Sequence, residues 1–79
     1  MSLHLEIVTP ADRVYDNTID SVVLPAATGE MGILPGHIPL VAQLEAGELQ
    51  VTTNGKTELL VVGRGFARVE GDTVSVLAE

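Results

Sequence analysis

The sequence has no cysteine, few cations, only two histidines and no long apolar run. The missing thiols exclude disulfides and any thiolate zinc site, and their absence fits a reducing compartment. Four Lys and Arg stand against eleven Asp and Glu, for a formal net charge of −7. Such a surface repels phosphate backbones and anionic lipid, which argues against nucleic-acid binding and direct membrane binding. The longest apolar stretches, such as Leu59-Leu60-Val61-Val62, fall far short of the roughly 20 residues that cross a bilayer. At the amino end, Met1-Ser2-Leu3-His4 has no basic region leading into a long apolar segment, so no secretory signal is visible. Internal repeats, low-complexity tracts and linkers are also missing. Seventy-nine residues are expected to form one domain, 1–79, near the lower end of what a single core supports.

What is present is a succession of short strand patterns. Leu3, Leu5 and Ile7 alternate with His4, Glu6 and Val8, the period of a strand with one buried face. Thr9-Pro10-Ala11-Asp12 resembles a helix-capping sequence, but Val14, Tyr15, Thr18 and Ile19 follow and favour a turn into a strand. Ile19 to Leu24 reads as one β-branched run stopped by Pro25, and Leu40 to Leu44 as another strand. Glu48 to Thr53 places Leu49, Val51 and Thr53 on one face. Asn54-Gly55 then predicts a type I′ hairpin turn into Lys56 to Val62, because both residues tolerate positive φ. Gly71-Asp72 predicts a second tight turn between Phe66–Glu70 and Thr73–Leu77. Turns at such short intervals specify an all-β sandwich or barrel of roughly eight to ten strands.

Catalytic constellations are hard to find. His4 and His37 form neither an HxH nor an HxxxH pair, and a metal site would require them to meet in space with Asp or Glu. The plain reading is a surface His4 and a hydrogen-bonded loop His37, with no metal. No Gly-x-Ser-x-Gly surrounds Ser2, Ser21 or Ser75. Gly55-Lys56-Thr57 looks like the end of a phosphate-binding loop, but position 50 is Gln50 rather than glycine, and Lys56 begins a strand. No catalytic residue and no cofactor are expected.

Gly29-Glu30-Met31-Gly32-Ile33-Leu34-Pro35-Gly36-His37-Ile38-Pro39-Leu40 stands apart from the rest. Its glycines permit tight or left-handed turns, while Pro35 and Pro39 remove backbone donors and exclude a central strand. Ile33, Leu34, Ile38 and Leu40 supply apolar anchors, so the segment reads as a shaped loop packed over the sandwich. On chemistry alone it is either a binding loop or an elaborate core crossover.

This run resembles the signature loop of ATP synthase epsilon subunits, called delta in mitochondria. Leu5 to Pro10 resembles the family's opening strand, and Leu24-Pro25 the strand end before the loop. Gly63-Arg64-Gly65-Phe66-Ala67-Arg68-Val69 resembles its Gly-Gly-Phe segment, and Val74 to Ala78 its closing strand. The ordered set spans essentially the whole chain. The resemblance implies a non-catalytic β-sandwich at the foot of the rotary central stalk. There it packs on the gamma subunit, rests on the c-ring and helps couple ion-driven rotation to ATP synthesis. It also implies a place peripheral to the energy-transducing membrane, on the cytoplasmic face in a bacterium or the stromal face in a plastid. Carried over residue by residue, Glu30 and Met31 are candidate c-ring contacts; Gly36, His37 and Ile38 are candidates for the interface with gamma or the ring.

Two departures stand out. Arg64 interrupts the paired glycines of that segment, and the chain stops at Glu79, where the family continues into a regulatory helical hairpin. The expected fold therefore has no carboxy-terminal helices. The reading of another class is a lipoyl or biotinyl carrier domain, with Lys56 beside Asn54-Gly55 as the modified lysine. Its neighbours lack the Asp or Met that flank such lysines.

Overall fold

The computed structural model describes residues 2–36 and 39–79. These form nine strands, in the expected range of eight to ten. β1 (Leu3–Val8) buries Leu3, Leu5 and Ile7 and turns His4 outward, as its alternation demands. The Thr9–Asp12 turn, closed by reciprocal backbone bonds between those two residues (2.8 and 3.2 Å), leads into β2 (Arg13–Ile19). β2 pairs antiparallel with β1, and the register shifts between Ile7 and Val8.

The apolar run 19–24 is divided rather than continuous. Ile19 ends β2, and Asp20 separates it from β3 (Ser21–Ala26). Asp20 has a local reason to break the strand: its amide bonds to the Thr52 carbonyl at 2.8 Å, while its carboxylate accepts the Asn54 amide at 2.8 Å. Nor does Pro25 stop β3. Proline removes one donor but keeps its acceptor, and the Pro25 carbonyl accepts the Glu45 amide at 2.8 Å.

The largest difference from expectation lies in the glycine-rich segment. Gly29–Ile33 is not loop but strand β4, paired antiparallel with β3 from Val22↔Ile33 to Ala26↔Gly29. Within it Ile33 is buried and Met31 packs against the core, so the segment obeys the two-residue period despite its glycines. Leu34, Pro35 and Gly36 lie beyond the strand, as the prolines require.

The remaining strands are β5 (Leu40–Leu44), β6 (Gly47–Thr53), β7 (Lys56–Val62), β8 (Gly65–Glu70) and β9 (Thr73–Ala78). The Asn54-Gly55 hairpin has φ of 52° and 77°, the left-handed values a type I′ turn needs. Strand order is β2-β1-β9-β8-β5-β3-β6-β7, with β4 alongside β3. β1 and β9 run parallel, so the first and last strands lie side by side. β5 and β3 share the single pair Ala26↔Leu44, and the sheet folds over at this corner. The result is a β-sandwich with β2-β1-β9-β8-β5 in one layer and β4-β3-β6-β7 in the other.

Inward side chains from both layers make one core, including Leu5, Leu24, Ile33, Leu49, Val51, Val74 and Val76. No described buried residue is polar or charged. The fold is held by apolar burial and backbone ladders, and the outward positions remain available for other roles.

Candidate docking surface

Strict alternation sends every second side chain outward, so the outer faces show what the domain offers to its surroundings. On the β1-β9-β8-β5 layer that offering includes an apolar cluster set among polar neighbours such as Glu6, Arg68 and Ser75. Phe66 faces Leu77 directly across β8 and β9, and Leu77 in turn faces Val8 across β9 and β1. In the adjoining row Val41 stands opposite Arg68. Phe66 (55% exposed), Leu77 (59%) and Val41 (70%) are thus contiguous and open to solvent. Beside them Val8, Pro10, Phe66 and Leu77 line an open groove of about 400 Å³. Contiguous apolar surface of this kind marks interaction sites, whereas scattered single residues do not. Around it stand Arg64, Arg68 and Glu70, the last two joined by a 2.6 Å ion pair.

This face was not singled out from sequence. Phe66 carries the general signal: with Ala67 and Val69 inward, period two requires Phe66 outward. Its neighbours Leu77 and Val41 come from strands whose register the sequence does not state.

The Gly63-Arg64-Gly65 segment borders this face and explains why glycine flanks the arginine. A Cβ on Gly65 would lie 1.8 Å from the Leu77 carbonyl oxygen, an impossible contact. One on Gly63 would stand 3.0 Å from the Glu79 carbonyl oxygen. β8 and β9 approach too closely here for any side chain, and the Arg64 carbonyl accepts the Glu79 amide at 3.0 Å. Arg64 falls between these two close approaches.

The residues expected to contact partners are only partly brought together. Glu30 is exposed on β4, opposite Pro25, and its carboxylate accepts a hydrogen bond from Gln50 Nε2 at 3.3 Å. Met31 is half-buried against the core, so only part of it faces solvent. Gly36 adopts φ of 84° and donates its amide to Asp72 Oδ1 at 3.3 Å, which ties the post-β4 turn to the β8–β9 turn. His37 and Ile38 lie outside the described residues. Lys56 is an exposed residue at the start of β7, paired with Thr53.

A second polar cluster was not anticipated. His4, Glu6 and Asp16 converge on the outer side of β1 and β2, with ligand-capable atoms all within 4.8 Å of one another. Arg13 reaches into the same cluster. The β1–β2 register pairs Glu6 with Asp16 and so sets Asp16 within reach of His4.

Exposed apolar side chains gathered on one outer face of an all-β sandwich are a feature of protein interaction sites. Comparison with known families defines the chain further. Residues 2–79 match the family model for the "ATP synthase, Delta/Epsilon chain, beta-sandwich domain", and the chain belongs to that family. It is 47% identical over 77 residues to the ATP synthase epsilon chain of Synechococcus sp. (strain CC9311), covering 98% of this chain and 57% of that one. Against the epsilon chain of Nitratidesulfovibrio vulgaris (strain DP4) identity is 49% over 78 residues, covering 99% and 58%. The chain therefore spans somewhat more than half the length of these relatives. A chain in the cryo-EM structure of the Euglena gracilis mitochondrial ATP synthase OSCP/F1/c-ring superposes with a TM-score of 0.90. That match has 28% identity and covers 98% of this chain and 50% of the other. A Tetrahymena thermophila mitochondrial ATP synthase central stalk and c-ring structure shares the fold at a TM-score of 0.78 and 12% identity. The carrier-domain alternative finds no support in these matches.

Proposed function

We propose that this domain is a non-catalytic docking part of a rotary ATP synthase central stalk, joining the gamma subunit to the c-ring. The observation that carries the reading is the family match over residues 2–79, in a fold superposing at 0.90 on a chain of a c-ring-containing assembly. The apolar Val41–Phe66–Leu77 face supplies a physical basis for partner binding. A chain of net charge −7 has little reason to keep such a face wet, and burying it against a partner stabilises both fold and complex.

In this reading gamma covers the Phe66 face, and Glu30, with the exposed part of Met31, meets polar loops of the ring. Gly36, His37 and Ile38 are the further candidates for contact with gamma or the ring. Work is transmitted through rigid packing, and no residue here performs chemistry. The domain sits peripheral to the energy-transducing membrane, on the cytoplasmic face in a bacterium or the stromal face in a plastid.

Retention of this chain on immobilised gamma tests the proposal. Wild type should be retained. Phe66→Asp, which places a charge in the centre of the face, should weaken binding roughly 30-fold or more, the effect of losing an interface hot spot. Glu30→Ala should leave gamma binding intact and lower coupling in proton-pumping assays. Failure of gamma to retain the wild-type chain would sink the docking assignment.

A further inference from the structure

The His4, Glu6 and Asp16 cluster adjoins the docking face, since Glu6 lines one groove with Val41, Phe66 and Leu77, but it has no part in the function proposed above. Glu6 and Asp16 are direct cross-strand partners, and His4 is two residues along the same face of β1. His4 Nε2 lies 2.5 Å from Asp16 Oδ1, and the three donor groups fall within 4.8 Å of one another. Ligands bound tetrahedrally at about 2.0–2.2 Å stand roughly 3.4 Å apart, so small side-chain rotations would place all three around one ion. The backbone beneath is well held. β1 is paired on both sides, by β2 and by β9, and the His4 amide also bonds to the Asp72 carbonyl at 2.7 Å.

Arg13 is the occupant to be displaced. Its guanidinium stands 3.5 Å from Glu6 and 3.2 Å from Asp16, on a side chain that is 58% exposed. A surface ion pair of this type is weak and easily exchanged, whereas a divalent ion would bind both carboxylates and the imidazole together. The imidazole also selects the class of ion. Magnesium and calcium prefer all-oxygen shells, while a mixed nitrogen and carboxylate set suits zinc.

We infer that His4, Glu6 and Asp16 form a zinc-class divalent site that fastens edge strand β2 to β1, with Arg13 as the competing intramolecular cation. Solvent supplies the remaining coordination. Because the ligands come from two strands, binding favours the folded chain and raises its melting temperature with the logarithm of zinc concentration above the dissociation constant.

Calorimetric titration of the untagged chain with zinc chloride tests this without involving gamma. One equivalent should bind wild type and His37→Ala alike, and magnesium should not compete. His4→Ala and Asp16→Asn should abolish binding; both side chains are on the surface, and circular dichroism checks that the sandwich persists. Arg13→Ala should tighten binding roughly two- to fivefold by removing the competitor. Absence of binding in wild type, full binding in His4→Ala, or weaker binding in Arg13→Ala would each overturn the site.

Discussion

Replacing Gly65 with alanine should be among the most damaging single-methyl changes available in this chain. Gly65 sits between Leu44 of β5 and Ala78 of β9, in the middle of one layer. The added Cβ would lie 1.8 Å from the Leu77 oxygen, 2.8 Å from its carbonyl carbon and 2.9 Å from Ala78 Cα. Carbon and oxygen normally approach no closer than about 3.3 Å, so β8 and β9 must part by roughly 1.5 Å. The obstructing atoms are backbone and cannot rotate away. Overpacking of flexible cores costs about 1–3 kcal/mol, and a rigid ladder should lie at or above the top of that range. A chain of this size has a total stability of roughly 4–12 kcal/mol, so about 3 kcal/mol is a large share. Urea unfolding followed by far-ultraviolet circular dichroism should show that loss, together with a melting point lowered by roughly 12–24 °C. Gly32→Ala is the matched control. Its Cβ would meet nothing within 4 Å, so it should be neutral or stabilising by up to about 1 kcal/mol. A Gly65→Ala protein within 1 kcal/mol of wild type would refute the close-approach argument.

Two further changes probe the core and the hairpin. Leu5→Ala, at a fully buried position in β1, should cost about 2–5 kcal/mol in the same urea assay. Asn54→Ala should cost about 1–2 kcal/mol. The residue holds φ of 52°, which alanine adopts poorly, while its amide bond to Asp20 can persist.

Where one residue pair decides local geometry, the fold was legible in the sequence. Asn54-Gly55 fixed both the turn and, through it, the register Thr53↔Lys56 of the β6–β7 hairpin. The Leu3–Leu5–Ile7 alternation likewise fixed which face of β1 is buried. Position 20 was misread because hydropathy registers the apolar residues around Asp20 but not the two hydrogen bonds that turn the chain there. β4 was misread for a related reason. Gly29 and Gly32 lower intrinsic strand preference, yet pairing with β3 supplies the ladder that isolated propensity omits.

The outer surfaces were the least legible part, since they depend on long-range pairing. Parallel contact between β1 and β9 joins residues some seventy positions apart, and only that contact sets Val8 beside Leu77. Cross-strand register likewise pairs Glu6 with Asp16 and thereby sets Asp16 within reach of His4.

The same topology separates the duties of the two kinds of position. No fully buried side chain among the described residues is polar or charged, so the core contributes stability without chemical specificity. Specific recognition must then lie in outward residues, where Phe66, Val41 and Leu77 gain nothing by remaining exposed in an isolated chain. Substituting them should therefore change folding free energy by only about 0.5 kcal/mol or less while sharply changing partner affinity. Core substitutions such as Leu5→Ala should do the reverse at temperatures where the domain stays folded. A separation of this kind between stability and affinity is what a docking module requires, because its partner reads a rigid surface.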